Sequence, residues 1–285
     1  MNPSPLVSVP WLEQNLNQPN LVILDATIPK IGQIGTHRLA GLRIPEAQFF
    51  DLNGKFSDPN TDLPHNLPTP DAFTAASREL GVSDSSHIIV YDQHGIYSSP
   101  RAWWMFRAMG HTAVSVLDGG LPKWIEAGMP VEAAPAEPPV PGDFVAKFQP
   151  QRVAGAEQLL KNIESAESIV IDARSAGRFC GAEPEPRAGL TSGHIPNSLN
   201  LPFDQVLRDG QFLPRAELSQ RIKKLNLTDA PLVFSCGSGL TACITLLACE
   251  LVLPNATSIY DGSWAEWGQP EKRLPIATTA ARGEA

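Results

Sequence analysis

Cysteine is scarce in this chain: only Cys180, Cys236, Cys243 and Cys249 occur in 285 residues. Four clustered cysteines are too few for the disulfide framework of a secreted domain. None forms a Cys-x-x-Cys pair, and no Cys/His set has zinc spacing, so neither a metal nor a cofactor is expected. Positive charge is also short, with 22 Lys and Arg against 30 Asp and Glu and a net charge of −8. That balance argues against a nucleic-acid partner or an anionic membrane surface. No apolar run approaches the roughly 20 residues of a membrane span. The first ten residues lack a charged start followed by an apolar core, so no secretory leader is expected. A reducing cytoplasm fits all of these absences.

Apolar residues make up 42% of the chain, enough for sizeable cores, and the length suggests about two domains. Leu21–Asp25, His87–Asp92 and Val114–Leu117 read as buried strands, each an apolar run of a few residues. Helices are expected over 11–16, 70–80, 100–109 and 121–126, several closed by a glycine. Residues 53–70, rich in Pro, Asn and Asp, read as an irregular surface excursion. Four prolines between Ala133 and Gly142 predict a stiff, extended connector.

After that connector the pattern repeats. Ile169-Val170-Ile171-Asp172 matches Val22-Ile23-Leu24-Asp25, and Leu232-Val233-Phe234 matches Ile89-Val90-Tyr91. Tyr260-Asp261-Gly262-Ser263-Trp264 matches Leu117-Asp118-Gly119-Gly120-Leu121. A nearly constant offset of roughly 150 residues means a duplicated domain, not a short-period solenoid. Strands alternating with helices predict an α/β fold with a parallel sheet flanked by helices in each half. The expected organisation is a first domain over 1–132, a linker over 133–149, a second domain over 150–275 and a frayed tail over 276–285.

The second half carries the chemistry. The run Leu232-Val233-Phe234 leads to Cys236, then Gly237-Ser238-Gly239-Leu240-Thr241, then an apolar helix from Ala242. Cys236 therefore opens a tight loop between the C-terminal end of a strand and a helix N-terminus. Ligands of open α/β sheets bind in that crevice. Loop N–H groups and a helix N-terminus favour negative charge, which suits a thiolate nucleophile. The alternative is a buried cysteine that only caps the helix. In the first half the matching stretch is Asp92-Gln93-His94-Gly95-Ile96-Tyr97, with no thiol.

The duplicated layout, Gly193-His194-Ile195-Pro196, the loop Cys236 to Ala242 and Tyr260 to Trp264 together resemble the tandem rhodanese-domain sulfurtransferases. Within that family the resemblance is to the branch that uses 3-mercaptopyruvate. It implies two tandem rhodanese-like domains, of which only the second is catalytic. It implies a Cys236 persulfide, formed from the donor and passed to a thiol such as thioredoxin or glutathione, or to cyanide, with release of pyruvate. The loop residues Gly237, Gly239, Leu240 and Thr241 would cradle the persulfide. Arg178 and Arg187 match the family positions that bind the donor's carboxylate and keto oxygen. Ser238 matches a serine placed to pass a proton to the leaving enolate. The bland alternative for Ser238 is a small residue needed by the turn.

Arg174 is expected to pair with a neighbouring acid, and His194 to tie its own turn together. Cys243, Cys249, Trp103 and Trp104 are expected in cores. Cys180 follows Arg178 and Phe179 directly; it is either a small packed residue or a second thiol able to resolve an oxidised Cys236. One departure stands out. Relatives carry His-Ile-Pro-Gly in the first half as well, whereas this chain has Arg43-Ile44-Pro45-Glu46. His37 or Arg43 could stand in for that histidine. The rival functions are a thiosulfate-preferring sulfurtransferase, a cysteine-dependent phosphatase and a non-catalytic binding module. The phosphatase reading lacks its phosphate-clamping arginine, because Ala242 and Cys243 follow the loop.

Overall fold

A computed structural model describes residues 3–30, 39, 41–133 and 137–278. The chain forms two compact units. One comprises Met1–Asn60, Leu67–Gln149 and Asp209–Phe212; the other comprises Thr61–Asn66, Pro150–Arg208 and Leu213–Ala285. Each half thus lends one short segment to the other unit.

The first unit runs β1 (Leu6–Val7), α1 (Val9–Asn15), β2 (Leu21–Asp25), β3 (Gln48–Phe49), α2 (Pro70–Glu79), β4 (His87–Tyr91), α3 (Ser99–Ala108), β5 (Val114–Leu117) and α4 (Gly120–Glu126). Its sheet has the order β1-β5-β4-β2-β3, and every neighbouring pair is parallel. β4 is buried along Ile88–Tyr91 and reads as a continuous apolar run, as strands covered on both faces do. α1 starts two residues before the expected position. Ser8 caps it, its Oγ accepting from the Trp11 N–H, and Pro10 sits in the first turn, where its missing N–H costs nothing.

The second unit repeats the plan with β6 (Val153–Ala154), α5 (Ala156–Ser165), β7 (Ile169–Asp172), α6 (Ala176–Cys180), β8 (Leu199–Asn200), the hairpin strands β9 (Leu207–Arg208) and β10 (Gln211–Phe212), α7 (Arg215–Lys223), β11 (Leu232–Ser235), α8 (Ala242–Glu250), β12 (Thr257–Tyr260) and α9 (Ser263–Trp267). β10 belongs to the segment that packs with the first unit. The second sheet, β6-β12-β11-β7-β8, is again parallel throughout. The outer strands β1, β3, β6 and β8 are two residues long, too short to leave a periodic signal in the sequence.

Two expectations need correction. The tail is not frayed from Ile276 onward: His194 and Ala277 exchange backbone hydrogen bonds of 2.8 and 2.9 Å, and Trp267 Nε1 donates to the Pro275 carbonyl. Residues 279–285 lie outside the described residues. The expected linker over 133–149 is not separate from the first unit over its second part either. Phe144 is buried among Phe73, Phe106 and His111, and Gly142, Phe144, Lys147 and Gln149 donate backbone bonds to the first unit.

The duplication extends to the loops. The Leu121 N–H donates to the Asp92 carbonyl as the Trp264 N–H donates to that of Cys236, so Asp92 is the counterpart of Cys236. The fully buried Asp92 carboxylate fills its own loop. Oδ2 accepts from the N–H groups of Tyr97, Ser98 and Ser99 and from the Ser99 hydroxyl, and Oδ1 accepts from the His94 N–H. An anion cradle survives in the first unit, but a fixed side chain occupies it. Asp92→Ala orphans several buried donors, each costing about 1–3 kcal/mol. The expected result is a urea midpoint well below that of the wild type; an unchanged midpoint would show that water satisfies those donors.

Candidate active site

β11 is central in its sheet, flanked by β7 and β12, and it delivers Cys236 at its C-terminal end. Cys236 is buried, and its N–H donates to Ser263 Oγ at 3.2 Å. Ser263 Oγ in turn donates to the Tyr260 carbonyl at 2.8 Å. The start of α9 receives the loop: the Trp264 N–H donates to the Cys236 carbonyl at 3.0 Å and the Ala265 N–H to that of Gly237 at 2.8 Å. A trans peptide sets N–H opposite C=O. The N–H groups of Gly237 and Ser238 therefore point away from α9. Gly239 completes the curl in the left-handed region, with φ +69°, where a side chain would be strained. Leu240 is buried and Thr241 half-buried at the mouth of α8.

Ser263 itself sits in the left-handed region with φ 50°, at the position where the first unit has Gly120, also at φ 51°. A serine tolerates that backbone because its hydroxyl makes both bonds just described. Sequence reading missed this residue; its only signal was a serine aligned with a glycine across the repeat.

Arg178 and Arg187 converge on the loop. A methyl group built on Gly237 would lie 3.2 Å from Arg178 Nη2 and 3.4 Å from Arg187 Nη1. Arg178 comes from α6, which Ser175 caps by accepting from the Arg178 N–H. Its Nε and Nη2 donate to Glu185 Oε1 and Oε2 at 3.2 and 2.6 Å. Arg174 is fully buried, paired with Asp172 at 2.6 Å and Glu185 at 2.8 Å, bonded to the Gly193 carbonyl and stacked 4.1 Å from the Trp264 ring. It is a strut beneath the site, as its expected pairing with an acid implied.

Ser238 is buried, and its Oγ lies 3.0 Å from His65 Nδ1. His65 belongs to Thr61–Asn66, the segment that packs with the second unit, and its backbone is left-handed at φ 66°. Of the two open candidates for this place, only Arg43 falls among the described residues. Arg43 pairs with Glu132 at 2.9 Å in the first unit, and His37 lies outside the described residues. His65 was hidden in a stretch read as surface excursion.

Other residues take structural places. His194 Nδ1–H donates to the Phe179 carbonyl at 2.8 Å while its ring stacks on Phe179, and burial holds its pKa below the usual histidine value. Cys180 Sγ faces the Gly177 carbonyl at 3.5 Å. Cys243 is buried against the Gly239 carbonyl, and burial pushes the Cys249 thiol up to about 12. Cys249 should therefore resist iodoacetamide across the neutral range, its thiolate appearing only near pH 12. Peptide mapping after alkylation at pH 8 checks this; ready labelling of Cys249 would mean that α8 opens.

The rhodanese-like domain model matches residues 8–127 and again 155–270. The chain belongs to the rhodanese family. Its two rhodanese domains resemble those of 3-mercaptopyruvate sulfurtransferase of Rattus norvegicus, with 40% identity covering 93% of each chain. Identity is 41% to thiosulfate/3-mercaptopyruvate sulfurtransferase 1, mitochondrial, of Arabidopsis thaliana, over 95% of this chain and 78% of that one. Among solved structures, SseA from Escherichia coli, described with the 3-mercaptopyruvate sulfotransferases, superposes with a TM-score of 0.82 at 37% identity, covering 93% of this chain and all of that one. In this rhodanese chain, no helix among the described residues is long and apolar enough to cross a membrane.

Proposed function

We propose that the protein is a sulfurtransferase that takes sulfur from 3-mercaptopyruvate on Cys236 and hands it to a thiol such as thioredoxin or glutathione, or to cyanide. The observation that carries this reading is the convergence of Arg178 and Arg187 on Gly237, one residue from the nucleophile. Two planar guanidinium groups suit a 2-oxo carboxylate, whose carboxylate and keto oxygens can each accept from one fork. The Cys236 thiolate attacks the donor sulfur, the carbon–sulfur bond breaks, and its electron pair passes into pyruvate enolate. Protonation at carbon gives pyruvate. The Ser238–His65 pair is the proton source at hand, and the loop N–H groups would stabilise the persulfide anion. An acceptor thiolate then attacks the outer sulfur and releases the Cys236 thiolate. A nucleophile of this kind requires a reducing compartment, and we place the protein in the cytoplasm.

Intact mass after addition of mercaptopyruvate, with no acceptor, should show one extra sulfur, located at Cys236. Gly237 and Ser238 bring no positive charge for a dianion, so kcat/KM for mercaptopyruvate should exceed that for thiosulfate. The reverse order would make the protein a thiosulfate-preferring enzyme. No sulfur gained from either donor would leave a binding module.

A further inference from the structure

Arg178 has one edge anchored and one edge open. Its Nε and Nη2 grip the two oxygens of Glu185 side-on, while Nη1 has no hydrogen-bond partner among the described residues. The Glu185 carboxylate is itself fixed. Its side chain is 2% exposed, Oε1 also accepts from Nη1 of the fully buried Arg174, and Arg174 is locked by Asp172 and Gly193. The backbone at Glu185 is stiff as well, because Pro184 and Pro186 flank it and the residue before a proline is held extended. The next residue is Arg187. Glu185 therefore ties the segment that carries one substrate arginine to the side chain of the other.

We propose that Glu185 is a positioning residue for donor binding: it orients Arg178 so that the Nη1–Nη2 edge faces the space beside Gly237. A guanidinium on a flexible stem otherwise samples many rotamers, and a bidentate bond to the donor would first have to order it. Glu185 does that ordering beforehand, and Arg174 keeps Glu185 from following Arg178 out toward solvent. The inference rests on the proposed function, because it assumes that Arg178 meets the donor carboxylate.

The test is a double-mutant cycle on steady-state kinetics with mercaptopyruvate and a thiol acceptor. Glu185→Gln keeps the size of the side chain and leaves the Arg174–Asp172 pair in place. It should raise the donor KM roughly tenfold, the loss of about one charge-assisted hydrogen bond. The acceptor KM should not move, and Cys236 should still gain sulfur at saturating donor. In an Arg178→Ala background the same substitution should change the donor KM less than twofold, because the group it positions is gone. A merely structural role would instead act equally in both backgrounds, and that additivity would overturn the proposal. So would an unchanged or lower donor KM in Glu185→Gln. Glu185→Asp keeps the charge beside Arg174 but withdraws it from Arg178, and should reproduce the rise in KM. If wild-type protein takes no sulfur from mercaptopyruvate, the proposed function fails; if it does and Glu185→Gln matches it, only this role fails.

Discussion

Replacing Cys236 by serine is expected to abolish sulfur transfer and leave the fold in place. The substitution keeps the side chain small, and the bonds that shape the loop are made by backbone atoms and by Ser263, so the loop should keep its path. A hydroxyl is a far weaker acid than a thiol and cannot carry a second sulfur, so no covalent intermediate forms. The expected result is a variant with wild-type circular dichroism, no mass gain with mercaptopyruvate and turnover at background level. Cys243 and Cys249 cannot substitute, being buried on α8 and turned into the core. Turnover comparable to wild type would move the nucleophile to Cys180 and undo the assignment.

The second large effect belongs to the arginines. On the proposed function, Arg178→Ala and Arg187→Ala should each remove charge-assisted hydrogen bonds to the donor worth about 1.5–3 kcal/mol, which corresponds to roughly 10- to 150-fold in kcat/KM for mercaptopyruvate. Part of the Arg178 side chain is open to solvent, at 21% exposure, so the lower half of that range suits it. Both losses should fall on the donor, leaving the reaction of a preformed Cys236 persulfide with its acceptor near the wild-type rate. Gly237→Ala supplies a geometric control. Its methyl group would sit against both guanidinium groups and push them back by a few tenths of an ångström, so a smaller loss in the same direction is expected. Near-normal kcat/KM in both alanine variants would place the carboxylate site elsewhere.

The sequence alone pointed to Cys236 as the candidate nucleophile, because its signal is local. A buried parallel strand is a contiguous apolar run, a loop glycine follows it, and an apolar helix follows that, all within about twenty residues. The duplication was legible for the same reason: strands such as Val22–Asp25 and Ile169–Asp172 are read without knowing what they touch. Boundaries drifted by one or two residues, most at α1, where the Ser8 cap decided the start. Ser238, Arg178 and Arg187 were named through resemblance, and the structure shows all three at the Cys236 loop.

Only tertiary structure decided the surroundings. His65 reaches Ser238 across 173 residues of sequence, through a segment without periodicity and with a left-handed histidine. Glu185 lies between two prolines in a loop, and nothing local distinguishes it from an exposed acid until Arg174 and Arg178 close on it. Asp92 reads as a strand-end acid until its carboxylate is seen to accept from four residues of its own loop. These roles belong to polar groups, whose meaning is set by the partner that satisfies them. Apolar periodicity is written along the chain, whereas the partner of a buried charge is chosen only when distant segments are brought together.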